Sequence, residues 1–406
     1  MSVASLKNRF ASMRMPWHGL DMQARRGLLA HALYWQAAAI AFQFVNIYIF
    51  RLSHGYAKPA LYQIWSNGCI PAGFALGSWI ARRRSSSATF RSGLLVFLFF
   101  LIAMLVLRER CVEWIPLIGL LSGLAIGLYW QGWTLVMMDL SENHQRDAML
   151  GTSQWVYYVA YLTSAPLAGW FLSRFSGLEG YSWVFAVATL MLAMAWIVSL
   201  PLKTSRLHGG GSFKRLMKAR KPAGWGFMAV SAMLTGLFSV SAMFLSILIS
   251  YEAKGSETGT GSYNFLNAAC GFVAAWVISR SAKPRNRLRI LWISALVTAL
   301  FTLPLALNRG FLMILLYGAG MAVTLCFYNV PLFSTHLRII DDAPRFKARR
   351  ADALTFREIF IDGGRVLGYA FVMLAVTNID SASLSWFFVA IAVLPLINTW
   401  LMRRFV

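Results

Sequence analysis

Residues 67–83 read NGCIPAGFALGSWIARR, and residues 264–280 read NFLNAACGFVAAWVISR. The stretches stand 197 positions apart. At that spacing Asn67 meets Asn264, Trp79 meets Trp276 and Arg83 meets Arg280. The same spacing lays GLAIGLYWQGWTL, from Gly123, on GMAVTLCFYNVPL, from Gly320. One such match means little in apolar sequence, where few residue types are in use. Two matches at a shared spacing indicate a chain built twice from one unit. After a seven-residue insertion, a third match sets Arg146 on Arg350, Leu150 on Leu354 and Gln154 on Glu358.

The unit is a set of membrane-crossing helices. The 406 residues are 58% hydrophobic and 13% charged, with a mean hydropathy of +0.59. A soluble domain is about 45–50% apolar and about 25% charged, so soluble enzymes, disordered chains and secreted disulfide scaffolds are excluded. A crossing helix needs about 20 apolar residues. Such runs lie at 28–50, 60–81, 92–107, 114–138, 150–172 and 182–200, then at 225–250, 260–279, 290–307, 311–336, 354–376 and 382–402. The expected fold is an all-α membrane protein of twelve transmembrane helices, arranged as two six-helix bundles related by a pseudo-twofold axis along the membrane normal.

The chain carries 38 Lys and Arg against 15 Asp and Glu, a net charge of +23. Twenty-nine of the basic residues fall in the even-numbered connections and the termini, seven in the odd-numbered ones, and Arg357 and Arg365 inside span eleven. Basic connections mark the cytoplasmic side, which places both termini in the cytoplasm and the protein in the cytoplasmic (inner or plasma) membrane. The charge is then a topology signal, and no nucleic-acid partner is expected. Residues 1–27 read as a basic cytoplasmic leader and 28–200 as the first bundle. Residues 201–224, with Gly209, Gly210 and Gly211, read as a cytoplasmic linker, and 225–406 as the second bundle.

With twelve spans in about 400 residues, a long basic loop after the sixth and both termini inside, the chain resembles the major facilitator superfamily. The small-residue and basic stretch after span two, Gly77-Ser-Trp-Ile-Ala81-Arg82-Arg83-Arg84, adds to the likeness. The family pattern there has an acidic residue where Ala81 stands and a glycine near Arg84, so this copy is degenerate and the family's charge relay at that loop is in question. Exporters of the family often carry Gly-Pro-x-x-Gly-Gly in span five. Ala165-Pro166-Leu167-Ala168-Gly169-Trp170 keeps the proline and one glycine, which favours export slightly; a packing kink at Pro166 is an equal account. The resemblance implies alternating access around a site near the bilayer midplane.

Ionisable groups inside a bilayer mark functional sites by default. Among the 15 acidic residues only Glu358 and Asp362 stand well inside a span, and they share it with Arg357 and Arg365. On a helix Glu358, Asp362 and Arg365 lie at i, i+4 and i+7, on one face. Two carboxylates at i, i+4 repel when both are ionised, which favours one of them keeping a proton. One reading is proton coupling through Glu358 or Asp362, with Arg365 holding a substrate anion or the empty carboxylate. The other is a neutral structural network. Gln43, Asn46, Trp130, Gln131, Gln154, Tyr158, Tyr328 and Asn329 are candidates for the cavity lining. Gln131 and Tyr328 share a position in the repeat and are expected across the axis from each other. His31 reads as a packing residue.

Gly119, Gly123 and Gly127 form a close-packing stripe. No phosphate loop, dinucleotide fingerprint, zinc motif or nucleophile elbow is present. Cys69, Cys111, Cys270 and Cys326 have neither metal nor disulfide spacing. The expected function is secondary transport of a small organic solute, with protons as the coupling ion, no metal or other cofactor, no enzymatic activity, and a monomer as the working unit. The competing reading is a non-transporting membrane regulator or assembly partner on the same scaffold.

Overall fold

The computed structural model describes residues 21–140, 143–175, 177–204, 206, 221, 223–240, 257–281, 284–342 and 350–406. Among them every regular element is helical. The first half contains α1 (Met22–Ser53), α2 (Ala57–Arg83), α3 (Ser86–Leu107), α4 (Ile115–Leu140), α5 (Asn143–Leu172) and α6 (Glu179–Ser199). The second contains α7 (Trp225–Val240), α8 (Glu257–Ser281), α9 (Arg287–Thr302), α10 (Phe311–Asp341), α11 (Arg350–Ala375) and α12 (Ala382–Met402).

These helices fall on the expected spans, with informative differences at their ends. α1 starts at Met22 because Asp21 caps it, its carboxylate accepting from the Ala24 amide at 2.6 Å. Arg25 and Arg26 therefore stand on the first turns of α1 and not in a separate leader. The ninth span is α9 followed by a four-residue helix, Pro304–Leu307, because the proline ring cannot continue the i→i−4 ladder. Residues 1–20, most of the linker (205, 207–220 and 222) and 241–250 of the seventh span lie outside the described residues.

Glycine sets the packing distance. α4 is wedged between α2 and α3. A Cβ on Gly119 would lie 3.0 Å from the Tyr62 carbonyl oxygen, and one on Gly123 or Gly127 would run into the carbonyl of Ser66 or Ile70. On its other side, Gly132 meets the backbone of Phe90, and Gly93 of α3 meets that of Tyr129. α7 and α11 interlock in the same way, Gly236 against the Ile361 carbonyl and Gly364 against that of Met233. Without a hydrophobic force between helices in lipid, such close approach supplies the dispersion contact that holds them together.

The bundles meet along α2–α11 and α5–α8. Tyr56 and Ala60, at the start of α2, share one apolar cluster with Tyr263 of α8, Tyr317 of α10, and Tyr369 and Val372 of α11. At the other end of α2, Arg82 pairs with Asp352 at the start of α11, 3.3 Å apart. That pair lies on the face carrying the basic connections, here called the basic face. By length and composition, seven helices of the described residues are apolar enough to cross a membrane: α1, α3, α4, α6, α9 with its short extension, α10 and α12. α2, α5, α8 and α11 fall short because they face one another between the bundles. There, small and polar side chains replace the branched residues that lipid favours.

Candidate coupling and substrate site

α11 runs into the interior from the basic face. At 1.5 Å per residue, Glu358 lies about 12 Å and Arg365 about 22 Å along it. Arg365 donates from Nη1 to Asp362 Oδ1 at 2.8 Å and from Nε to the Ser239 hydroxyl of α7 at 3.2 Å. Asp362 is 1% exposed, and its Oδ2 has no hydrogen-bond partner among the described residues. A buried carboxyl oxygen left unsatisfied is unfavourable. The Asp362–Arg365 pair stands at i, i+3 on α11. Its free oxygen and its Ser239 contact are additions from the fold.

Arg357 and Glu358 form a second pair. Arg357 Nη1 donates to Glu358 Oε1 at 2.8 Å. Its Nε donates to His336 Nδ1 of α10 at 3.1 Å, and its guanidinium lies 4.8 Å from the centre of the Phe333 ring. Because Arg Nε is only a donor, His336 Nδ1 must accept. The proton of the neutral ring is then on Nε2, where it is donated to the Ser231 hydroxyl of α7 at 2.9 Å. Asn398 of α12 donates to the Ser231 carbonyl at 3.3 Å. His336, Ser231 and Ser239 gave no signal in the sequence. They are small or single polar residues in apolar helices, and only the packing of α7 and α10 on α11 gives them a role.

A ladder of neutral polar groups leads away from these pairs. Tyr369, on the same side of α11, faces the Asn67 amide of α2. Asn67 donates to the Gln63 side chain at 3.0 Å, and Gln63 donates to Asn46 of α1 at 2.9 Å. Gln63 was missed in the sequence because it stands four residues before Asn67 in a span with few other polar groups. The antiparallel α2–α11 register is fixed at two points, Arg82 with Asp352 and Asn67 with Tyr369. It sets Asp362 opposite the middle of α2, on the seam between the bundles.

The α5–α8 pair shows the repeat in three dimensions. Moving Asp362 back by the 204 positions of the third alignment lands on Tyr158 of α5. Tyr158 packs on Gly271 of α8, where a Cβ would lie 2.8 Å from the ring, and its hydroxyl is 3.1 Å from Cys326 Sγ of α10. Phe272 lies edge-on to Trp155 and Tyr158, with centroids 4.6 and 6.2 Å apart. Asn329 is exposed and shares the helical face of Cys326 and Phe333. Trp130 is half-buried, with its ring 5.8 Å from Trp35.

Other candidates take different places. Gln131 donates to Ser78 of α2 at 2.8 Å, and Tyr328 donates to the Pro395 carbonyl of α12 at 3.3 Å. Both are buried within their own bundles and do not face each other across the axis. The side chains of Gln43 and Gln154 lie outside the described residues. His31 is fully buried. Trp35 Nε1 donates to its Nε2 at 3.1 Å, Ser153 also bonds Nε2 at 2.7 Å, Tyr129 bonds Nδ1, and Trp133 stacks on the ring at 3.9 Å. It ties α1, α4 and α5 together. Among the described residues no cluster of His, Cys, Asp and Glu could hold a metal ion.

Two glycine-locked helical bundles, with buried ion pairs and polar ladders on the seam between them, define a polytopic membrane transporter. The sequence profile described as Major Facilitator Superfamily matches residues 60–338, and the chain belongs to that superfamily. It is 24% identical over 363 residues to YqgE, an uncharacterised protein of Bacillus subtilis (strain 168), covering 88% of this chain and 84% of that one. Its fold is similar to that of the xylose transporter XylE from E. coli, inward open, with a TM-score of 0.69 at 14% identity over 94% of this chain and 95% of that one. It is also similar to an auto-inhibited POT family peptide transporter, with a TM-score of 0.72 at 12% identity over 95% and 98% of the two chains. The structural likenesses concern the fold. Secondary transport of a small solute across a membrane follows from the family.

Proposed function

We propose that this protein is a proton-coupled exporter of the cytoplasmic membrane, with both termini in the cytoplasm, that moves a small organic solute by alternating access. Asp362 carries the proton. The supporting observation is its geometry: a buried carboxyl on the inter-bundle seam, one oxygen on Arg365 and the other without a partner among the described residues. When the seam parts, Asp362 is uncovered, and proton uptake there releases Arg365 to hold a substrate anion. Residues 28–200 and 225–406 are the two moving bodies, joined by the 201–224 linker. A monomer is sufficient, since each bundle supplies one wall of the site. The export direction rests on the Pro166–Gly169 segment of α5. Asn46, Trp130, Tyr158 and Asn329 are the proposed contacts for the solute.

The test is metabolite profiling of cells and medium from strains lacking the chain, overexpressing it, or overexpressing Asp362→Asn. A compound that gathers outside only with the unmodified protein, and stops doing so when a protonophore collapses the gradient, supports the reading. Accumulation unchanged in Asp362→Asn refutes the role of Asp362. Depletion from the medium reverses the direction.

A further inference from the structure

Arg357 and Glu358 are neighbours on a helix, about 100° apart around its axis, and adjacent helical residues do not face each other. Their 2.8 Å pairing draws both side chains away from their helical directions and is supported from outside α11. α10 does this with two groups: the His336 Nδ1 lone pair and the Phe333 ring. His336 is itself fixed, since Ser231 takes its Nε2 proton and the ring is wholly buried. We infer that His336 is a positioning residue that holds Arg357 on Glu358, keeping Glu358 a paired carboxylate and leaving Asp362 as the proton-exchanging carboxyl of α11.

This assignment rests on the proton-coupling reading and separates two carboxyls the sequence left equivalent. The charged and titratable groups around Arg357 are Glu358, Asp362 and Arg365 on α11 and His336 on α10. α7 faces the cluster with Ser231 and Ser239, and α12 contributes Asn398. From α2, Arg82 is engaged by Asp352, and Asn67 meets Tyr369. With His336 in place each carboxyl has its own cation, Glu358 on Arg357 and Asp362 on Arg365, but Asp362 is the more deeply buried and its Oδ2 has no partner among the described residues. With His336 gone, Arg357 Nε has no acceptor on α10 among the described residues, and the Phe333 ring alone does not fix the direction of the guanidinium. Arg357 is then free to leave Glu358, which is partly exposed.

The full-length protein in liposomes is titrated while the carboxyl C=O stretch is followed by infrared spectroscopy. Each spectrum is read as the difference from the same protein carrying Asp362→Asn or Glu358→Gln, so that the other acidic residues cancel. Within the pH range of the Asp362-dependent band, the wild type is expected to show no Glu358-dependent one. His336→Leu is expected to show both. His336→Gln, whose amide both accepts from Arg357 and donates to Ser231, returns the wild-type pattern. His336→Asn, too short to reach both partners, shows both bands and serves if the leucine variant does not fold. The absence of a Glu358-dependent band in the folded leucine or asparagine variant overturns the inference, as does its presence in the wild type over that range. A wild type with no Asp362-dependent signal refutes proton coupling instead, while a Glu358-dependent signal in His336→Leu still reads the positioning on its own.

Discussion

Neutralising the Asp362–Arg365 pair one residue at a time, and then together, distinguishes a coupling site from a structural brace. The charges sit 2.8 Å apart at their closest atoms, with Asp362 buried and the Arg365 side chain one-quarter exposed. At an effective dielectric of about 20, unit charges about 4 Å apart attract by about 4 kcal/mol. Removing one partner of a buried pair costs about 3–5 kcal/mol. Asp362→Asn keeps the size and one acceptor, so the lower figure, about 3 kcal/mol, applies. Arg365→Gln costs less, because a carboxyl left without its cation takes up a proton whereas a guanidinium cannot shed one. The double variant leaves two neutral amides that bond each other, and its loss falls to about 1 kcal/mol. With an unfolding entropy of about 2.1 cal/mol/K per residue, these figures correspond to falls in Tm of about 3–4 °C and about 1 °C. Thermal unfolding of purified protein supplies the three stabilities, and export of the solute found by profiling supplies the function. The expected result is recovered stability in the double variant with export still absent. Additive losses refute the energetic pair, and export restored in the double variant refutes the coupling role.

Three further outcomes follow from packing and charge. Gly364→Val drives a side chain into the Met233 carbonyl. It is expected to cost about 1–3 kcal/mol or more by overpacking and to reduce the yield of monodisperse protein, while Gly363→Ala, with nothing within 4 Å of its Cβ, leaves both unchanged. His31→Phe strands Tyr129, Ser153 and Trp35 inside the first bundle and is expected to lower stability by about 2–4 kcal/mol, read as a fall in Tm. In the Arg82–Asp352 pair the carboxylate is buried but the guanidinium is about one-quarter exposed, and screening by solvent at the arginine end holds its worth to about 1 kcal/mol. Asp352→Asn is therefore expected to raise the population open at the basic face by up to about fivefold, seen as longer spin-label distances between positions 84 and 342. The swapped pair Arg82→Asp/Asp352→Arg should reverse this.

The fold was legible because its signals are long. Twelve apolar runs, a charge split by side, and a 197-residue spacing each average over many positions, so errors at single residues do not matter. The charged face of α11 was legible for the opposite reason: four ionisable residues within nine positions of one span are too costly in lipid to be incidental. What escaped were partners supplied by other helices. Nothing in the sequence of α10 marks His336 as the acceptor for Arg357, and nothing in α7 distinguishes Ser239 from any serine that bonds its own backbone. Gln131 and Tyr328 were placed across the axis because they share a repeat position. That argument fixes depth and helix but not the direction of the side chain, which packing turned inward in both cases. The degenerate loop after span two put the family's charge relay there in question. Arg82, the residue after the missing acid, pairs with Asp352, 270 positions away.

The repeat also shows where the two halves have diverged. Shifting α11 back by 204 positions turns Arg357, Glu358, Asp362 and Arg365 into Ser153, Gln154, Tyr158 and Tyr161. Both helices pack against the opposite bundle, α11 on α2 and α5 on α8. The backbone plan is therefore kept while the chemistry is not. Besides Arg82 and Asp352 at its basic end, one seam holds four charges that sum to zero. The other holds tyrosines, a phenylalanine and a thiol, with the Tyr158 ring seated on a glycine. A charge on the α5 seam would have no cation within a helical turn, since Tyr161 stands where Arg365 stands on α11. An unpaired buried carboxylate costs several kcal/mol. Under the proposed reading this division has a mechanical sense. Rocking parts the seams, and the one with buried carboxyls responds to a proton, so the coupling free energy is applied to the α2–α11 contact. The α5–α8 seam is left to discriminate by shape and hydrogen bonding.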